Sequence, residues 1–259
     1  MRGDLFSVKG KQVVLIHADK PYGRQLALGL QALGAAVTLC GMDAEALRVL
    51  SLQMGLGEEG VILYEPGTEQ AAQALTEQVS KNFGAPDALI IINPGSALNT
   101  WTPEFDALYH SLLVSQLGLM LTVKHLGLLM AGAGQGAVLF VTDYGSLVGY
   151  DPENYREDAA RFRQDFALDA GFIAGSYVNY ARQAAGFLGE HGIRCNTLAL
   201  GPLPEKEHDN FMEAVIRHSH IKRPISQEDI TAAAAFLISD ASSFITGVTL
   251  PVDGGYTAK

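Results

Sequence analysis

Cysteine is almost missing from this chain: Cys40 and Cys195 are the only two in 259 residues. Each lies in an apolar run, AAVTLCG and IRCNTLAL, where a thiol behaves as a small buried hydrophobe. A disulfide framework is thereby excluded, and a reducing compartment is implied. Basic charge is also scarce, with 18 Lys and Arg against 28 Asp and Glu and a net charge of -10. With no basic run, nothing in the sequence marks a nucleic-acid or anionic membrane partner. No stretch approaches the roughly 18 uninterrupted apolar residues of a membrane span. The opening MRGDLFSVKGK carries Asp4 and lacks the apolar centre of a secretory leader. A cytoplasmic protein is expected.

What is present is apolar, at 48% of residues, enough for a large single core spanning 1–259. Short β-rich runs alternate with helical periodicity. The runs lie near 12–17, 35–40, 60–65, 88–93, 136–142, 192–200 and 247–253. Continuous apolar strands are buried on both faces. Seven of them separated by helices predict an α/β fold, a single Rossmann-like doubly wound domain with a mostly parallel sheet and helices on both faces. Ligands of such sheets sit beyond the carboxyl ends of the strands.

The stretch FLISDASSFITGVTLPVDGGYTA (236–258) resembles the last helix, last strand and Val-Asp-Gly-Gly turn of the short-chain dehydrogenase/reductase family. KNFGAPDALIIINPGSA, EHGIRCNTLALGP and LFSVKGKQVVLI agree with that family in order and spacing, so the resemblance covers nearly the whole chain. It implies this topology, NAD(H) or NADP(H) as cofactor, and catalysis by a Ser after strand five together with a Tyr and a Lys one helical turn apart.

The segments that would carry function depart from the family. Its glycine-rich phosphate loop reads His17-Ala18-Asp19-Lys20-Pro21-Tyr22-Gly23 here, keeping only the packing glycine, Gly23. Pro21 removes a backbone donor, and Asp19 would oppose a pyrophosphate that Lys20 attracts. Where strand two normally ends in an acid for the ribose of NAD, or an Arg for the phosphate of NADP, stand Gly41 and Met42. Asp43, just beyond, is expected to cap the next helix. Glu65 matches a family Asp that contacts adenine. Asn93 begins a degenerate Asn-Pro-Gly turn, and Glu205 brings a second carboxylate toward the cofactor slot. The set predicts no cofactor bound by this chain.

Counting along the family pattern puts the Ser slot at Asp143, the Tyr slot at Ala170 and the Lys slot at Ala174. No lysine occurs between Lys124 and Lys206. A phenol with a pKa of about 10 needs a nearby ammonium to ionise, so the proton relay is missing. The spacing between Asp143 and Ala170 also implies an inserted segment near 147–165. There Tyr155 is an alternative acid, with Arg161 or Arg163 as its cation, although a charged solvated helix or a fold over the cleft accounts for the segment as well. His218 and His220 stand at i, i+2, do not converge on a helix and lack further ligands, so no metal is expected. Tyr177 and Tyr180 read as core or interface packing.

Three functions fit. The first is a non-catalytic pseudoenzyme subunit in a hetero-oligomer, a heterotetramer with an active, NAD-binding subunit of the same family. It resembles in kind the inactive subunit of a dehydrogenase acting on a CoA-thioester alcohol in anaerobic toluene degradation. The apolar mid-chain helices would make the contact. The second is an active NAD(P)-dependent oxidoreductase with a non-standard acid, Tyr155 or Asp143. The third is a metabolite-binding regulatory module.

Overall fold

The computed structural model describes residues 4–204 and 210–258. Strands β1 (Gln12–Ile16), β2 (Ala36–Gly41), β3 (Val61–Leu63), β4 (Ala88–Ile92), β5 (Gly136–Asp143), β6 (Ile193–Leu200) and β7 (Thr249–Val252) form one sheet in the order β3-β2-β1-β4-β5-β6-β7. Every pairing is parallel. The expected doubly wound architecture is present.

Alternation along the strands divides the core into two layers. Val13 and Leu15 face the side covered by α1 (Pro21–Ala32), α2 (Ala44–Met54) and the late helix Gln227–Ile238, whereas Val14 and Ile16 face the side covered by α3 (Glu69–Phe83) and two mid-chain helices. Those two are the run Phe105–Ala133 and the helix Ala170–Gly189. The first consists of α4 (Phe105–Leu112), a π turn at Leu113–Leu117 and α5 (Gly118–Ala133). Among the described residues this run alone is long and apolar enough to cross a bilayer. Its buried residues Leu119, Val123, Leu126 and Met130 belong to the sheet core, which accounts for its composition.

Local signals set most helix ends. Asp43 caps α2 as expected, accepting from the backbone N–H groups of Glu45 and Ala46 at 3.0 Å each. Thr68 does the same for α3. Strand β3 is shorter than its apolar run suggested, because it lies at the sheet edge with β2 as its one pairing partner.

One short helix, α8 (Asn210–His218), lies outside the helical stretches read from the sequence, while α6 (Ala159–Asp165) falls in the segment read as a charged solvated helix or a fold over the cleft. They follow in chain order around α7 (Ala170–Gly189) and precede α9 (Gln227–Ile238). The segment 147–165 combines both readings, with no buried residue in α6 and with Tyr155 buried ahead of it. Together with α8 and Tyr256 it forms a separate aromatic cluster, Tyr144, Tyr155, Phe211 and Val215 among its members, laid over the carboxyl end of the sheet.

One guanidinium ties β6 to the end of α9. Arg194 donates to the carbonyl oxygens of Leu237 at 2.8 Å and Ser239 at 3.1 Å, satisfying acceptors that a helix terminus leaves open. Arg194→Met should therefore lower unfolding free energy by about 2–3 kcal/mol in urea denaturation, the scale of charged hydrogen bonds lost with buried acceptors left unpaired.

Candidate active site

The sheet order reverses between β1 and β4, so the chain leaves these strands in opposite directions and a crevice opens at their carboxyl ends. A cleft of about 670 Å³ lies there, with Asp19, Lys20, Tyr22, Asn93, Asp143 and Arg161 in its lining. These residues come from the β1–α1 turn, the β4 end, the β5 end and α6.

Asp143 is the last residue of β5 and is partly exposed to this cleft. Its Oδ1 accepts hydrogen bonds from the Gly145 backbone N–H at 2.7 Å and from the Tyr150 hydroxyl at 3.0 Å. Tyr150 reaches it because Gly145 has no side chain: a Cβ there would stand 2.3 Å from Tyr150 Cζ. Burial raises the carboxyl pKa from 3.8 to about 6, outweighing the two hydrogen bonds that pull it down, and the charge of Asp165 adds to the rise. Tyr22, also in the lining, donates to the Gly201 carbonyl at 3.0 Å, and burial followed by the charge of Asp143 pushes its phenol well above the usual tyrosine value.

Tyr155 is not at the cleft. It is 3% exposed, packed 4.7 Å from the Phe211 ring centroid, and its hydroxyl donates to Asp165 Oδ2 at 2.8 Å. Burial, then neighbouring phenol and carboxylate charge, drive its pKa far up. Its ring is held in an aromatic core and its proton is donated to Asp165, so the hydroxyl is not presented to the cleft. Arg161 does line the cleft, its guanidinium carbon 3.9 Å above Phe211 and its Nε 3.6 Å from Asp165. Arg163 is exposed.

At α7 the methyl groups are packed rather than open. Ala170 is 9% exposed and Ala174 is fully buried, with its carbonyl accepting from Thr142 Oγ1 at 3.3 Å. The N-terminus of α7 is anchored by the preceding Asp169, which accepts from Ser96 Oγ at 2.5 Å and Ser111 Oγ at 2.6 Å. Asn93 sits in the cleft lining, donating to Thr142 Oγ1 at 3.3 Å and accepting from Gly95 N–H at 2.9 Å.

The β1–α1 turn is closed without its glycines. His17 takes the left-handed conformation at φ 60, at a cost of about 1–2 kcal/mol for a residue with a Cβ. Ala18 is fully buried and its N–H donates to the Cys40 carbonyl at 2.9 Å. At Gly23 a Cβ would lie 2.4 Å from the His17 carbonyl oxygen, so that glycine permits close approach of α1 to β1. Asp19 does not point toward a diphosphate at the helix start. Its Oδ1 rests on Gly41, where a Cβ would stand 2.2 Å away.

The first turn of α1 therefore has no acidic residue and opens on the cleft beside Lys20 and Arg24, a positive environment suited to a dinucleotide diphosphate. The residues present fit such a group. Glu65 lines a separate hollow and is exposed, and Glu205 lies outside the described residues. His218 is half-buried rather than exposed, bonding Asn154 Oδ1 at 3.0 Å, while His220 faces out. Among the described residues no group of three or more His, Cys, Asp or Glu is placed to hold a metal.

Tyr22 and Tyr150 are not singled out by the sequence: Tyr22 stands in the degenerate phosphate loop, where the lost glycines are the visible signal, and Tyr150 lies in no spaced motif. The signal for Tyr150 was Gly145, which follows Asp143 by two positions, but its role appears only when the loop folds back.

Residues 171–257 match the family model described as enoyl-(acyl carrier protein) reductase. The cis-4-hydroxycyclohexanecarboxylate dehydrogenase of Sinomonas cyclohexanicum is 31% identical over 200 residues, 73% of each chain. The D-threitol dehydrogenase of Mycolicibacterium smegmatis is 26% identical over 269 residues, 98% of this chain and 95% of its own. In three dimensions the chain is similar to a gluconate 5-dehydrogenase from Burkholderia cenocepacia, solved in complex with NADP and tartrate, with a TM-score of 0.80 at 20% identity over 99% of this chain and 98% of that one.

These likenesses correct two expectations. The non-catalytic subunit is overturned by relatives that are dehydrogenases along nearly the full chain. The absence of a cofactor is overturned by a neighbour of the same fold that holds NADP. The physical reason both expectations failed is shared: they equated lost motif residues with lost function, whereas the cleft retains a titratable carboxyl and a cationic helix start contributed by other residues.

Because Asp143 has a folded-state pKa above its unfolded value, the folded protein holds that proton more tightly, and stability falls as pH rises from about 4 through about 6. Asp143→Asn removes this cost. Its unfolding free energy should exceed that of the wild type by on the order of 2 kcal/mol at about pH 8, with little difference at about pH 4, in parallel urea denaturations.

Proposed function

The chain belongs to the short-chain dehydrogenase/reductase family, and we propose that it is a NAD(P)-dependent oxidoreductase of alcohol and carbonyl substrates with Asp143, not a tyrosine, as its proton-exchanging residue. One observation carries the reading: a carboxyl at the end of β5, facing the cleft, with its pKa raised to about 6. An acid–base group works best with a pKa near the working pH. The nicotinamide, when bound, supplies hydride exchange at the substrate carbon.

In alcohol oxidation the Asp143 carboxylate accepts the proton leaving the hydroxyl oxygen, and in the reverse direction the carboxylic acid returns it. Tyr150 and the Gly145 N–H hold Oδ1, which leaves Oδ2 for that exchange. Lys20, Arg24 and the start of α1 would hold the diphosphate by charge. Leu203, Pro204 and Ile225 give the cleft an apolar wall.

Two buried free thiols support a cytoplasmic location. Met120 and Leu128 on α5, with Phe172 and Phe187 on α7, are exposed and support association with a second subunit of the family.

The test uses the chain purified alone, titrated with NADH and NADPH by nicotinamide fluorescence and assayed with D-threitol and cis-4-hydroxycyclohexanecarboxylate as alcohol probes. Binding of one coenzyme is expected, with kcat/KM for oxidation rising to a plateau through about pH 6. Asp143→Asn should lower kcat by about 10²-fold or more while coenzyme binding persists. A folded chain that binds neither coenzyme ends the proposal.

A further inference from the structure

The end of β2 carries neither an acid nor a base, yet the space above it is filled by a carboxylate from elsewhere. Asp19, from the β1–α1 turn, crosses to Gly41 so closely that a Cβ on Gly41 would stand 2.2 Å from its Oδ1 and 2.8 Å from its Cγ. Among the described residues Oδ1 is buried with no hydrogen-bond partner, while Oδ2 accepts a long bond, 3.4 Å, from the Asp43 backbone N–H. Asp19 is at the same time part of the cleft lining. A buried carboxylate oxygen left unpaired is costly and is a vacancy for a donor.

We propose that Asp19 accepts the hydroxyls of the adenosine ribose, so that this chain selects a dinucleotide with a free 2′-hydroxyl, NAD(H), over the 2′-phosphorylated form. The inference rests on the dehydrogenase reading and deepens it. A carboxylate at the end of the second strand pairs with a ribose diol and repels a phosphate. Here the position is the same but the residue arrives from the preceding turn. The carboxylate torsion is soft, so rotation exchanges the two oxygens and a hydroxyl from the cleft can satisfy the one now unpaired.

The charges on this side favour the same choice. Asp43, at the N-cap of α2, adds a second carboxylate next to Asp19. Gly41 and Met42 supply no cation. Lys20 is the single opposing charge in this turn, and it stands at the start of α1, where a diphosphate takes its attraction. Gly41 is thereby a seat for Asp19: the absence of a side chain there is what lets the carboxylate lie over β2.

The experiment compares the dissociation constants of NADH and NADPH for the purified chain, by nicotinamide fluorescence and by shift of the melting temperature, without any turnover assay. NADH should bind about tenfold or more tightly, the scale of hydrogen bonds to a charged acceptor. Asp19→Asn and Gly41→Ala, the second displacing Asp19 while keeping it, should each shrink the NADH-to-NADPH ratio about tenfold. Because the readout is a ratio, partial loss of folded protein cancels. Equal affinities, tighter NADPH binding through Lys20, or a ratio unchanged in Asp19→Asn would overturn the inference while leaving the dehydrogenase reading standing. Binding of neither coenzyme would overturn both.

Discussion

A carboxyl group kept partly out of water at the end of β5 is the constraint on which the site depends. Asp143 is the last residue of a strand buried on both faces, and its backbone is fixed by pairing with Leu200 of β6. Its side chain then meets a low-dielectric wall on one side and open cleft on the other. Burial alone would favour the neutral acid strongly, and the Gly145 N–H and Tyr150 hydroxyl restrain that tendency until the group titrates near neutrality. The aromatic cluster of 147–165 and α8 exists at that end of the sheet to supply both the wall and the phenol.

The same economy of position governs the opposite end of the cleft. A turn that normally relies on glycine is formed with His17 in the left-handed conformation, and the strain is held by burial of its ring and by the Ala18 N–H bond to Cys40. The buried imidazole is kept neutral, its pKa lowered to about 3 by desolvation and then by the charge of Lys20. With the turn set in this way, Asp19 leans toward β2 and away from the helix start. A carboxylate that reads in one dimension as an obstacle to a diphosphate is, in three, out of its way.

Ala170 and Ala174 do mark a helix without a phenol and ammonium, and α7 is packed tightly at both positions. A titratable group at the end of a parallel sheet need not come from that helix: Asp143, which the sequence places in the Ser slot, stands at the end of β5 and lines the crevice.

The linear order of residues determined the layers, because apolar runs of strand length can be buried only inside a sheet, and apolar faces at helical spacing can be buried only upon it. It also determined the caps at Asp43 and Thr68, where a side chain bonds the backbone a few positions away. Tertiary structure alone decided which polar groups meet. Tyr150 reaches Asp143 across a glycine, Asp19 reaches Gly41 from the β1–α1 turn, and Tyr155 is drawn into a ring of phenylalanines. Such meetings depend on where loops return in space, and a loop has no period from which its return can be read.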